Sequence, residues 1–419
     1  MQSETEQEAP VSYPVLTAPA DGVPPIVDTP EALAATRAAL AGGHGPVSVD
    51  TERAHGYRYT AKAYLIQVRR EGAGTHLIDP IAFENGKPRA DFSDIANDLA
   101  GVDWILHAAS QDLPCLAEGR LLPTQLFDTE LAARLLGLPR VNLSALMEHA
   151  LGLSLAKEHS AADWSRRPIP QDWLNYAALD VERLAELRQW QIERLTEDGK
   201  LEWAMQEFAH LTAHADDPPT PRADPWRRTT GLHTLRSLVG LAVARELWLA
   251  REGLARAEDR APGRVLPDRN IIEVARVFEA AREQNIDRAW LRAVPGFNKR
   301  GALRHEQHWL AAVRRAAQLP KAELPARHLI PDGPPQPRAW ERRWPDSFAR
   351  FNRVRPALIE LAESLRLPVE NLLSPDHLRR LLWDSPATMD AAEADRRLAE
   401  LGARAWQREL VVPVITRLW

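Results

Sequence analysis

Three short stretches of the chain carry residue types and spacings suited to chemistry. In Val49-Asp50-Thr51-Glu52 two carboxylates stand at i and i+2. On an extended segment that spacing points both to the same side of a sheet. At the end of a buried strand the pair is costly unless a cation neutralises it. In His107-Ala108-Ala109-Ser110-Gln111-Asp112 an apolar segment delivers a third carboxylate just beyond its end. In Tyr176-Ala177-Ala178-Leu179-Asp180 a phenol and a fourth carboxylate lie four residues apart, which places them on one helix face. Each stretch has an ordinary alternative. An Asp-Thr-Glu triplet also suits a solvated turn or helix cap, and a Tyr-Asp pair also suits a helix surface.

These residues need elements to hold them. Thr29 caps an expected helix over Pro30 to Ala41. Val47 to Asp50 reads as a buried strand, and Tyr64 to Arg69 and Thr75 to Asp79 as two more, joined by a hairpin-like turn at Glu71-Gly72-Ala73-Gly74. Asp103 to His107 is a fourth strand. Phe127-Asp128 opens a fifth segment that runs into the helical pattern of Leu131, Leu135 and Leu136. Strands separated by helical stretches indicate an α/β layer with a mixed sheet. After about Gly199 the pattern is all helical. Proline-rich linkers at 216–221 and 331–337 bracket a segment of about 110 residues and leave a last one of about 80. Each begins with an amphipathic helix and then has a proline-marked turn, Pro262-Gly263-Arg264-Val265-Leu266-Pro267-Asp268 in one and Ser374-Pro375-Asp376 in the other. This weak internal similarity suits a tandem pair of helical modules.

The bulk numbers agree with several domains. At 419 residues, with 45% hydrophobic and 26% charged residues, the chain reads as a globular protein of two or three domains. Its single cysteine, Cys115, excludes an internal disulfide framework and a thiolate zinc site. No apolar run reaches the length of a membrane span. The acidic, proline-bearing start carries no secretory signal, so the cytoplasm is the expected location, and no protein partner is readable. The net charge of −5 hides an uneven distribution: residues 222–315 hold 19 basic against 11 acidic residues, whereas residues 1–221 carry −15. An acidic front with a basic middle suits metal chemistry beside polyanion binding. Arginine is abundant throughout, however, with only 6 lysines among 53 basic residues, so a compositional bias explains the same numbers.

Taken jointly, the acidic stretches resemble the DEDD exonuclease superfamily in its tyrosine-containing branch. The surrounding text is similar to ribonuclease D: Tyr64-Leu65-Ile66-Gln67, Leu77-Ile78-Asp79-Pro80, His107-Ala108-Ala109 before Asp112, and Asp163-Trp164-Ser165-Arg166-Arg167-Pro168 before Tyr176. The likeness covers roughly residues 29–195. Gly263-Arg264-Val265-Leu266-Pro267 resembles the HRDC domains that follow the nuclease in that family, and the last segment resembles them less closely. Residues 1–25, with several Pro and Glu and no periodicity, read as a flexible tail, and the resemblance implies an RNase H-like mixed-sheet 3′-5′ exonuclease domain (26–215) and two all-α HRDC-like domains (222–320 and 338–419). It also implies that Asp50, Glu52, Asp112 and Asp180 hold two divalent cations, Mg²⁺ or Mn²⁺, while Tyr176 positions or helps deprotonate the attacking water. The reaction so implied releases 5′-nucleotides from RNA 3′ ends, as in tRNA precursor trimming. A DNA exonuclease of the same superfamily and a catalytically silent nucleic-acid-binding adaptor are the alternatives. Presence of all four carboxylates with Tyr176 argues against the adaptor.

Two departures stand out against the family. Arg53 follows Glu52 where relatives often carry an apolar or aromatic residue, and Ser160 and Ala162 stand where Gln and Ser are frequent. Arg166 and Arg167 are candidate phosphate contacts, since guanidinium forks fit phosphate oxygens. His107 reads either as a catalytic neighbour of Asp112 or as a hydrogen-bonded group closing a strand, and Cys115 as a buried thiol. The chain has 14 tryptophans, and Trp226, Trp309, Trp340 and Trp344 fall in or beside the helical modules. Interleaved with arginines they suit base stacking or core packing.

Overall fold

The computed structural model describes residues 13–156, 161–280, 285–328, 333–383 and 385–419. Helix α1 (Pro30–Gly42) begins as its sequence directs: Thr29 Oγ1 accepts from Ala32 N at 3.2 Å, and Pro30 takes the first helical position, where its missing N–H costs nothing. Six strands follow the mixed-sheet expectation: β1 (Ile26–Val27), β2 (His44–Arg53), β3 (Ala63–Glu71), β4 (Gly74–Ile78), β5 (Asp103–Leu106) and β6 (Gln125–Asp128). Their spatial order is β1-β4-β3-β2-β5-β6. The β2–β3–β4 ladder is antiparallel, and β1, β5 and β6 join in parallel.

Period-two alternation along β2 decides what each face of the sheet does. Val47 and Val49 enter a core under α1 with Ile66, Val68 and Leu40. Asp50 and Glu52 point to the other face, where α3 (Gln171–Glu182) lies across β2, β3 and β4. That face is sealed by Leu65, Leu77, Trp164, Leu174, Ala177 and Ala178. Strand β2 runs beyond the expected Val47–Asp50, because its ladder with β3 continues past Glu52 through an irregularity to Arg53. Residues 13–25 depart from the loose tail expected there: Val15–Leu16 pairs in parallel with Ser154–Leu155, Asn175 Nδ2 donates to Thr17 O, and Ala20 N donates to the buried Glu182. A two-residue strand has no readable periodicity, and its partner lies far along the chain. Residues 1–12 are outside the described residues.

The helical part forms two bodies. The first contains α6 (Leu238–Ala257), α7 (Asp268–Ala280) and α8 (Glu306–Gln318) around its own core of Trp226, Leu247, Ile271 and Trp309. It grips the loop that follows β2. Asp259 accepts from Tyr59 N, Thr60 N and Thr60 Oγ1 at 3.2, 3.0 and 2.9 Å, and Arg264 donates to Gly56 O while stacking over the Tyr57 ring. The last body, built on α9 (Pro345–Ser364), α10 (Pro375–Leu382), α11 (Ala391–Glu400) and α12 (Ala405–Arg417), shares one continuous apolar core with the catalytic domain. Ile105 and Phe127 of the sheet belong to the same cluster as Trp340, Val354 and Trp406. Trp203 and Trp406 stack at 4.9 Å, and the buried Lys200 ammonium donates to both Leu135 O and Leu365 O at 2.7 Å. Gly137, at φ +73°, sits so close to the Arg366 carbonyl that a Cβ there would collide with backbone.

Candidate active site

The alternation of β2 builds the centre. One carboxylate oxygen from each of Asp50, Glu52 and Asp180 lies within 4.8 Å of the others, Asp180 reaching in from α3. Tyr176, one turn earlier on that helix, hydrogen-bonds to Asp180. Thr51, between the two strand carboxylates, points to the opposite face. Its hydroxyl donates to Asp112 Oδ1 at 2.6 Å and meets Cys115 Sγ at 3.2 Å. Asp112 is thereby tied to the back of the strand that carries Asp50 and Glu52. The departure Arg53 belongs to the same knot, donating to the Gln111 carbonyl and lying 3.9 Å from Asp112 Oδ1.

The loop presenting Asp112 is held by Asp128, whose role sequence reasoning missed. The chain leaves β5 through Ala108 in the left-handed region (φ +59°) and turns in a 3-10 segment before Asp112 opens α2 (Leu113–Glu118). At the end of β6, Asp128 accepts from Ala108 N, Ala109 N, Glu130 N and Leu131 N at 2.9–3.1 Å. Its place as helix cap before Thr129-Glu130 was a signal available in the sequence. Burial pushes the Asp128 carboxyl up to about 6, against the pull of those four amides. Gln67 also gained no role from sequence. It is fully buried, stands directly across the ladder from Asp50, and neither of its amide atoms has a hydrogen-bond partner among the described residues.

Burial and mutual repulsion govern the electrostatics of this cluster. Burial, reinforced by the neighbouring carboxylates, drives Asp50 and Glu52 well above the ordinary carboxylate range. Burial raises Asp180 to about 7, with the Tyr176 hydrogen bond opposing, and Asp112 to about 6, with Thr51 and Arg53 opposing. The Tyr176 phenol is pushed up by burial and by Asp180, Glu52 and Asp50 in turn. Hard oxygen donors that repel one another at this spacing fit a divalent cation such as Mg²⁺ or Mn²⁺. They line a cleft of about 700 Å³ together with Arg53, Asp112, Tyr176 and His107, walled on one side by Pro139 to Leu143.

The other candidates sort by their partners. His107 lines the cleft, shares a 2.9 Å hydrogen bond with Thr129 Oγ1, and is held down to about 4 by burial, so its ring is neutral. Cys115 is buried and its thiol is pushed up to about 12, which removes it as a nucleophile. Arg167 is not a cleft residue: its guanidinium forks onto the buried Asp79 at 2.6 Å through two nitrogens and caps the carbonyls of Tyr64 and Trp164. Arg166 is exposed and likewise stands outside the cleft lining. Of the two other departures, Ala162 packs against the α3-side core, and Ser160 lies outside the described residues.

Known proteins share the fold and the sequence of this chain over most of its length. Residues 24–194 match the family described as 3'-5' exonuclease, residues 240–313 the HRDC domain, and residues 333–418 the 3' to 5' exonuclease C-terminal domain. The last segment, expected as a second HRDC-like module, thus matches a family of its own. Ribonuclease D of Pseudomonas paraeruginosa is 31% identical over 281 residues, covering 67% of this chain and 71% of the relative. A crystal structure of a protein from Bifidobacterium adolescentis is 39% identical, with a TM-score of 0.86, and covers 97% of this chain and 99% of that one. Escherichia coli RNase D, at 24% identity and a TM-score of 0.64, shares the fold over 94% of this chain and 98% of its own. The chain belongs to the ribonuclease D family of 3′-5′ exoribonucleases.

Proposed function

We propose that the chain trims the 3′ ends of structured RNA, such as tRNA precursors, in the cytoplasm, using two divalent cations at the acidic cleft. The observation carrying this reading is the convergence of Asp50, Glu52 and Asp180 within 4.8 Å, under mutual repulsion that a cation would relieve. Asp50, Glu52 and Asp180, with Asp112 beside them, would hold the ions. Bound there, divalent cations would activate the attacking water and stabilise the leaving 3′ oxygen. The remaining work falls to the chain itself. Tyr176, hydrogen-bonded to Asp180 one turn along the same helix, would position the attacking water or help deprotonate it. Neutral His107 can exchange hydrogen bonds with substrate at the cleft wall without adding charge.

The test is a time course on 3′-labelled and 5′-labelled single strands, RNA beside DNA, with Mg²⁺, with Mn²⁺ and with chelator. We expect the 3′ label to leave as a mononucleotide and 5′-labelled RNA to shorten stepwise only when metal is present. Asp50→Ala should bind RNA and fail to shorten it. Trimming by Asp50→Ala at the wild-type rate would overturn the site, and equal degradation of DNA would overturn the substrate class.

A further inference from the structure

Of the tryptophans noted beside the helical modules, Trp226, Trp309 and Trp340 are at most 3% exposed and serve the cores. Trp344 is different. It is partly exposed and meets Trp383 edge to face, with ring centroids 5.7 Å apart and planes at 68°. The two indoles line a cavity of about 610 Å³ in the last domain, together with Arg338, Arg342 and Arg343. All three arginines are exposed, and none has a hydrogen bond or ion pair among the described residues. Most arginines of this domain are engaged instead: Arg379 pairs with Asp376 at 2.7 Å, and Arg396 is held by Glu393 and Glu400. Glu341 shares the cavity, and among the described residues its lining is positive.

We propose that this cavity binds a nucleotide of single-stranded RNA, upstream of the 3′ end that is being trimmed. The base packs against Trp344 and Trp383, and the guanidinium groups of Arg338, Arg342 and Arg343 take the flanking phosphates. Aromatic faces accept any base, and arginine forks fit phosphate oxygens, so the site holds a strand without reading its sequence. The inference rests on RNA being the substrate and adds a second anchoring point away from the acidic cleft.

The experiment uses the full chain in chelator, so that RNA binds and is not cut, and reads fluorescence anisotropy of a labelled single strand of about 25 nucleotides. Replacing Arg338, Arg342 and Arg343 together by Ala is expected to weaken binding roughly 10-fold at low salt and to flatten the salt dependence by about 1–2 in the log–log slope, since each phosphate contact on a single strand contributes about 0.7. Trp344→Ala is expected to weaken binding about 10-fold, with Trp344→Phe retaining most of the affinity, because stacking needs an aromatic face and no particular one. The charge-matched control removes Arg396, Arg397 and Arg408, engaged with Glu393 and Asp395, and is expected to leave the slope unchanged. Unchanged affinity and slope in the triple variant, with its melting temperature intact, would overturn the proposal. So would an equal loss for a blunt RNA duplex or an equal loss in the control. Wild-type protein that binds single strands through these residues yet never trims RNA would sink the exonuclease reading and leave this site standing.

Discussion

Replacing Asp180 by Asn should make the metal-free protein more stable while destroying its activity. Asn keeps the shape of the side chain and an acceptor for Tyr176 and removes the charge. Burial holds the Asp180 carboxyl near 7 in the folded chain against an ordinary value of 3.8. A group whose folded value is raised contributes its full stability below the unfolded value and loses it as pH rises through the folded one. At about 1.4 kcal/mol per unit, ionised Asp180 costs the folded state about 4 kcal/mol by pH 8, and about 3 of these accrue above pH 5. The Asn variant escapes that cost, so its advantage over wild type should grow by about 3 kcal/mol between those conditions. For a domain of this size that is roughly 10 °C in the melting temperature of the catalytic domain. Groups away from the cluster titrate equally in both proteins and cancel in the comparison, whereas Asp50 and Glu52, relieved of the Asp180 charge, add to the variant's advantage. The assay is thermal unfolding of both proteins in chelator near pH 5 and pH 8, repeated with Mn²⁺. With metal near pH 8 the order should invert, because wild type, with the full carboxylate set, gains more from binding. An Asn variant no more stable than wild type in chelator at the higher pH, or an advantage flat with pH, would refute the claim that this site strains the empty fold.

Two further outcomes follow from the packing. Gly137→Ala adds a Cβ at φ +73° into the Arg366 carbonyl. It should destabilise by at least about 1–2 kcal/mol and raise KM for RNA, because Gly137 leads into the 139–143 cleft wall; unfolding curves and steady-state kinetics check both. Arg167→Ala strands the buried Asp79 and should cost a few kcal/mol, about 3–5 at the fully buried limit, while the salt slope of RNA binding stays unchanged. An unaltered melting temperature with weakened RNA binding would return Arg167 to the role of a phosphate contact.

What was legible in the sequence was local. Asp50 and Glu52 announce their shared direction by a spacing of two, Tyr176 and Asp180 by a spacing of four, and Thr29-Pro30 announces a helix start. Each of those signals depends on backbone geometry within a few residues. The rest depends on partners that spacing does not reveal. Arg167 reads as a free cation until Asp79, 88 residues earlier, arrives beneath it. Asp128 looks like a helix cap and is one, but half its work is to hold Ala108 and Ala109 from the neighbouring strand's exit. Val15–Leu16 is too short to show any period and is ordered by Ser154–Leu155. Proline-rich text suggested a detached last domain. Its apolar residues instead complete a core begun by Ile105 and Phe127, because hydrophobic burial has no sequence range.

The contacts at Asp259 and Gly137 mean that the cleft is framed by three bodies rather than one. The first helical body fixes the loop leaving the strand of Asp50 and Glu52, and the last body braces the segment that enters the Pro139–Leu143 wall. The aperture at the reacting centre is therefore a property of how the bodies are docked. Warming that undocks either helical body relaxes one border of the cleft while the sheet beneath remains intact. Thermal inactivation of this enzyme should then precede melting of its catalytic domain, and its upper working temperature is set by the weaker of two interfaces that never touch the scissile bond.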